Sequence, residues 1–182
     1  MDYVDFNLQK MLPHKLSQYG PSLAVADIDG NGLDDIFVGT AYLQYETYFL
    51  QQPNGVFIEK QLSPNASKYD KLQEDMGPLL FDADNDGDID VYLASGSSEF
   101  AEGYQGYQDR LFINDGKGNF TKDTTALPKN LTSKSCVKAV DYDKDGDLDL
   151  FVGGRVLPGK YPQAVSSFIF RNDSKNGKAA FT

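Results

Sequence analysis

A nine-residue acidic loop that occurs three times constrains this chain more than any other feature. Residues 25–39 (VADIDGNGLDDIFVG), 80–94 (LFDADNDGDIDVYLA) and 139–153 (AVDYDKDGDLDLFVG) align without a gap, which makes Asp27, Asp82 and Asp141 equivalent. The spacing between copies is 55 and then 59 residues. Self-similarity at such a period is the mark of stacked repeats, in which no unit buries its apolar face alone.

Each copy reads D-x-D-x-(D/N)-G-x-x-D between apolar flanks. Oxygen-bearing side chains at alternate positions, with a glycine where the chain must turn sharply, are what a hard cation needs to be surrounded by six to eight oxygens. The side-chain ligands predicted by this spacing are Asp27, Asp29, Asn31 and Asp35 in the first loop. In the second they are Asp82, Asp84, Asp86 and Asp90, and in the third Asp141, Asp143, Asp145 and Asp149. The seventh position, held by Leu33, Asp88 or Asp147, is expected to offer its backbone carbonyl, since Leu33 has no side-chain oxygen. Up to three Ca²⁺ ions are expected, because a flexible cage of many oxygens suits calcium, whereas magnesium prefers to keep water in a strict octahedron.

The charge distribution agrees. The formal net charge is −10, but residues 27–35, 82–90 and 141–149 hold 14 of the 27 acidic residues and one Lys, a net −13 that leaves about +3 elsewhere. Carboxylates crowded in this way repel one another unless a cation lies between them. Chance turns rich in Asp, Asn and Gly are the alternative, but three copies in register argue against it. An EF-hand opens with the same D-x-D-x-D-G but needs a bidentate Glu at position twelve, where this chain has Val38, Leu93 and Val152.

Strand-like runs flank every loop. Residues 23–26 and 36–38, 78–81 and 91–94, and 136–140 and 150–152 each form a strand, a turn and a strand. Two further runs follow in each repeat, around Pro53-Asn54-Gly55 in the first and around residues 114–118 in the second. In the third, residues 168–171 precede residues 179–182. Each unit is therefore a four-stranded meander of about 55–60 residues, the size of a propeller blade. The fold class expected is all-β, a partial β-propeller of about three four-stranded antiparallel blades with a calcium loop between the first two strands of each. The units are a lead segment, residues 1–20, and blades at residues 21–75, 76–132 and 133–182, the last truncated. The runs beside the loops are expected to be inner strands, and Phe37, Phe81, Tyr92, Phe112, Phe120, Phe151 and Phe170 to fill the core between blades.

The wording of these repeats resembles a known family. The Asp-rich loops followed by Phe37-Val38-Gly39-Thr40-Ala41, Tyr92-Leu93-Ala94-Ser95-Gly96 and Phe151-Val152-Gly153-Gly154 look like FG-GAP/VCBS repeats of integrin-α-like propellers. Residues 12–21, 108–116 and 153–162 are similar to large bacterial surface or secreted VCBS-repeat proteins, especially those of Bacteroidetes. The resemblance implies calcium in the first hairpin of each blade and a place outside the cell or on its surface. It also implies closed rings, often of about seven blades, so the remaining blades of a parent propeller are expected partners.

Other features narrow the function. Cys136 is the only cysteine and His14 the only histidine, which excludes an internal disulfide and zinc sites built on Cys or His. Cys136 is expected to be a buried core thiol. Net acidity argues against nucleic acid as a partner, and no apolar run reaches the ~18 residues of a membrane span. Residues 1–6 have no secretory signal pattern, so a signal is expected to lie outside this sequence. Asn65, Asn130 and Asn172 begin N-x-S/T triplets, read as coincidental in so Asn-rich a chain.

A binding or adhesion module for an unidentified protein or glycan is the leading expectation, with residues 64–78, 99–109 (Tyr104, Tyr107) and 158–164 (Tyr161) as exposed loops. An enzyme is not expected, since the paired carboxylates are used as ligands and no nucleophile elbow or phosphate loop occurs. The alternatives are the propeller domain of a calcium-dependent polysaccharide-degrading enzyme, or a purely structural spacer.

Overall fold

Alternating apolar side chains on either side of each Asp-rich turn fold back as hairpins, and these hairpins build three antiparallel sheets. The computed structural model describes residues 3–66 and 71–182. The first sheet holds β1 (Leu23–Ala26), β2 (Asp35–Val38), β3 (Thr47–Gln51) and β4 (Phe57–Gln61), in that order across the sheet. The second holds β5 (Asp75–Phe81), β6 (Asp90–Ser95), β7 (Arg110–Asn114) and β8 (Phe120–Asp123), again in chain order. The third has β9 (Lys134–Val140), β10 (Asp149–Gly154) and β11 (Phe168–Phe170). Its last segment returns beside β11 through an antiparallel bridge of Asn172 to Phe181 and paired Arg171–Thr182 backbone bonds, without forming a full strand.

Equivalent registers repeat from sheet to sheet. Ile36 faces Phe49, Val91 faces Phe112 and Leu150 faces Phe170 across the second and third strands. The first strands lie side by side, β1 against β5 and β5 against β9, as inner strands around a common axis do.

Because side chains alternate across a strand, the middle sheet can serve two neighbours at once. Val91, Leu93 and Phe112 pack with Phe37, Tyr48 and Leu50 of the first sheet. Tyr92, Ala94 and Leu111, on the opposite face, pack with Val137, Leu150, Val152 and Phe170 of the third. Every residue of β6 is buried in consequence. Each large apolar side chain enclosed in this way contributes about 1.5–3 kcal/mol.

Two sequence expectations fail at the outer sheets. Phe151 is exposed, and so is Cys136. On β9, Val137 and Ala139 point at the second sheet, while Cys136, Lys138 and Val140 point away from it. No sheet of the described chain covers that side. Phe37, Phe81, Tyr92, Phe112 and Phe170 are buried and Phe120 packs against the core, as expected.

Polar groups join the sheets at the ends opposite the Asp loops. Arg110 of β7 pairs with Asp75 of β5 and with Glu46 of the first blade, all three buried. Burial alone would lower the Arg110 pKa, but the two carboxylates outweigh it and hold the guanidinium charged. Lys134 of β9 reaches Asp109 at 3.1 Å, and Asp109 also accepts from the Tyr92 hydroxyl at 2.7 Å. The lead segment folds over this end. It carries one helical turn, α1 (Asp5–Leu8), and Asp5 accepts from the Leu16 and Ser17 backbone N–H groups at 2.8 and 3.0 Å. Leu12 and Leu16 pack on Val156, beyond β10.

Close approach of β9 to the end of β6 requires glycine at one place. A methyl group on Gly96 would fall inside the backbone carbonyl of Lys134. Gly96→Ala is therefore expected to push β9 away and cost about 1–3 kcal/mol, read as a lowered thermal midpoint.

Candidate metal centre

The three loops share one conformation, dictated position by position. The fourth residue is left-handed in each, Gly30 at φ +71°, Asn85 at +64° and Lys144 at +64°. The sixth, Gly32, Gly87 or Gly146, lies at φ +84° to +102°, a region that L side chains rarely adopt. These turns aim successive oxygens inward.

The first Asp closes the turn. Asp27 accepts from Asn31 N and Gly32 N at 3.0 and 2.8 Å, and Asp82 from Asn85, Asp86 and Gly87 N–H groups at 2.8–3.2 Å. Asp141 accepts from Gly146 N at 3.3 Å. The fifth residue accepts from the backbone two residues on: Asn31 from Leu33, Asp86 from Asp88 and Asp145 from Asp147.

The ninth residue has a structural task that the spacing did not reveal. Asp35 takes the N–H of Ile28 on one oxygen and that of Gln51 on the other, both at 2.7 Å. Asp90 does the same with Ala83 and Asn114, and Asp149 with Tyr142 and Asn172. Each of these buried carboxylates thus fastens the loop to the end of the third strand. At that end, Asn114 donates to the carbonyl of Ile28 in the preceding blade at 2.7 Å, and Asn172 to that of Ala83 at 3.2 Å. The recurrence of Asn at or just past the end of the third strand in the second and third repeats was the one signal for this clamp.

Carboxylate oxygens gather in three groups: Asp27, Asp29 and Asp35; Asp82, Asp84 and Asp86; and Asp141, Asp143 and Asp149. Within a group the oxygens lie within 4.8 Å of one another. Two oxygens each ~2.4 Å from one calcium ion can be no more than about 4.8 Å apart, so these groups have the span of a shared cation. Among the predicted positions, Asp90 and Asp145 lie outside these carboxylate groups, as do Asn31, Leu33, Asp88 and Asp147. Asp147 instead accepts from the Asn85 amide at 2.8 Å, joining the second loop to the third.

One buried carboxylate oxygen in every loop lacks a hydrogen-bond partner: Asp29 Oδ1, Asp84 Oδ1 and Asp141 Oδ1. A buried acceptor left without a donor is costly, and a bound cation would satisfy it. The electrostatics point the same way. Burial, then neighbouring acids, pushes the Asp84 and Asp35 carboxyls above the usual range. Burial raises that of Asp90 to about 7, against the two backbone N–H groups that favour its charge. The residues present therefore fit a hard dication.

The exposed-loop candidates fare unevenly. Tyr107 is buried, with its hydroxyl on the Phe100 carbonyl at 3.0 Å, and Tyr104 stacks on Phe100. Tyr161 is exposed. The N-x-S/T triplet at Asn65 includes Ser67, and residues 67–70 of the first loop candidate lie outside the described residues.

Sheets of four, four and three strands, stacked face to face with one acidic hairpin loop apiece, define blades of a partial β-propeller. Residues 82–152 match the FG-GAP-like repeat model and residues 19–48 the FG-GAP repeat model, and the chain is an FG-GAP repeat protein, an integrin-like β-propeller module. No curated protein matches the chain. Among the described residues, no helix is long and apolar enough to cross a membrane.

Proposed function

We propose that this chain is a calcium-binding propeller module of a surface or secreted protein, in which the ions fasten hairpins and the opposite face meets a protein or glycan ligand. The observation that carries the calcium reading is the unpartnered buried carboxylate oxygen in each of the three loops. Asp27, Asp29 and Asp35, Asp82, Asp84 and Asp86, and Asp141, Asp143 and Asp149 would hold the ions, with the fifth-position oxygens and seventh-position carbonyls completing the shells. The ion supplies positive charge where carboxylates crowd; it performs no reaction. Extracellular modules bind calcium at about 10⁻⁴–10⁻³ M, which suits the millimolar calcium outside cells.

A calcium titration by calorimetry tests this reading. Saturable binding of up to three ions is expected near about pH 7.5, and weaker binding near about pH 5. The sign follows from the proposed ligand Asp84: burial, then the Asp86 charge, moves its folded carboxyl into a window above the ordinary 3.8. The ion-free fold therefore loses the stability due to this group as pH rises through that window, and gains it on acidification. Calcium requires the ionised form, so protons compete with it and the calcium increment in thermal midpoint shrinks at low pH. An increment unchanged between the two pH values contradicts the assignment.

A ligand face is supported at the other end of the blades. A cavity of about 520 Å³ there is lined by Tyr19, Tyr42, Met76, Glu74 and Glu99, among others. Burial, then the nearby Glu99 charge, raises the Glu74 carboxyl to about 7. Aromatic faces beside carboxyl groups suit a polyhydroxyl or basic ligand. Calcium-dependent retention on a glycan array would support binding; retention followed by cleavage would favour the polysaccharide-degrading alternative, and none at all a spacer.

A further inference from the structure

We propose that a cavity beside the start of β7 and the end of β8 is a binding site for a neutral polyhydroxyl ligand, one sugar ring in size, held between the Arg110 Nε–H and the Gln73 amide oxygen. It goes beyond the ligand face described above, since it shares no lining residue with the cavity of Tyr19 and Tyr42.

The cavity measures about 310 Å³ and is bordered by Gln73 before β5, Arg110 at the start of β7, Asp123 at the end of β8, and Leu127. That volume falls at the small end of the ~300–1,000 Å³ range of small-molecule pockets. Two buried polar atoms of its lining residues have no hydrogen-bond partner, Nε of Arg110 and Oε1 of Gln73. Arg110 is only 4% exposed, and both of its terminal nitrogens are engaged, Nη1 by Glu46 and Nη2 by Asp75. The ion-pair triad therefore leaves the Nε–H over. A buried donor or acceptor left without a partner is costly. The two together ask for an occupant that accepts and donates at once, which a hydroxyl group does.

Charge decides the class of ligand. Cations and carboxylates are mixed around the lining, Arg110, Lys122 and Lys129 with Asp109 and Asp123. Glu46 and Asp75 pair with Arg110, and Lys134 with Asp109. An anion entering here meets carboxylates and a cation meets ammonium groups, whereas a neutral molecule carrying hydroxyls finds donors and acceptors without either penalty. The carboxylates are held in place beforehand. Asp123 Oδ1 accepts from the Thr125 and Ala126 N–H groups at 2.6 and 2.9 Å, and Asp109 accepts from the Tyr92 hydroxyl and the Ser95 N–H at 2.7 and 2.8 Å. Side chains fixed in this way lose little freedom when a ligand arrives. Leu127 supplies an apolar wall for the C–H face of a ring.

Heteronuclear NMR of the nitrogen-labelled full chain in calcium tests this, because the Arg110 Nε–H and the Gln73 side-chain amide give signals of their own. D-glucose, D-galactose, D-mannose and N-acetylglucosamine are titrated, with glycerol, phosphate and acetate as controls. At least one sugar is expected to shift both signals saturably in the millimolar range. Gln73→Leu is expected to weaken that sugar at least about tenfold while leaving the thermal midpoint in place. Gln73→Met replaces it should the leucine variant fail to fold. A response to none of the sugars leaves water as the sole occupant and overturns the proposal. A response to phosphate or acetate alone makes the cavity an anion site, equal shifts with glycerol mean an adventitious additive only, and sugar shifts undiminished in Gln73→Leu place the ligand elsewhere; each overturns it as well. Shifts confined to the Met76 methyl group mark the cavity of Tyr19 and Tyr42, so that reading can stand when this one falls.

Discussion

Replacing Arg110 by Ala is expected to destabilise the chain by about 3–5 kcal/mol. Arg110 sits between Asp75 and Glu46, and all three side chains are nearly inaccessible to water. Removing the guanidinium leaves two buried carboxylates facing each other with no counter-charge, and the cost comes mainly from that uncompensated pair. Arg110→Met is expected to recover little, since it fills the space without serving the acids. A triple change that also replaces Glu46 and Asp75 by Gln and Asn should recover much more. Urea unfolding of the three variants checks this, and equal stability of Arg110→Ala and the parent would show that the triad contributes nothing to holding the first two blades together.

The second large effect is expected at Asp90. Its two oxygens take the N–H groups of Ala83 and Asn114, both in buried surroundings. Asp90→Ala orphans both donors at about 1–3 kcal/mol each, so a loss of about 2–6 kcal/mol is expected even with a chelator present. Asp90→Asn keeps one acceptor oxygen and is expected to lose roughly half as much. Asp145→Asn, at an exposed fifth position, should change the chelated protein little. Thermal melts in chelator separate the clamp from the ion, and a mild effect of Asp90→Ala there would mean that the ninth position acts only through a cation.

Much of the architecture was legible because the repeat announces it. The Asp loops fixed the hairpins, and the alternation around them fixed which residues share a face. Alternation does not say which face has a neighbour, however, and this is why Phe151 and Cys136 read as core yet lie on an open side. The Arg110 triad had no signal in the sequence, since nothing near Arg110 along the chain brings Glu46 and Asp75 to it. The fourth strand of the last blade was expected where the chain makes only an isolated bridge and a few backbone bonds, among them Arg171 with Thr182 and Asp173 with Ala180. At the site, the spacing identified the acids but not their division of labour. It could not separate Asp90, whose oxygens both serve backbone donors, from Asp84, which keeps one buried oxygen without a partner.

As proposed above, the three loops are specific calcium sites that fasten the first hairpin of each blade. Thermal unfolding in excess calcium, in chelator, and in magnesium tests it most directly. Calcium alone is expected to raise the midpoint in a saturable manner, by an amount that grows with its concentration over the dissociation constant. A midpoint indifferent to every cation would contradict the account, and the three acidic loops would then be turns and nothing more.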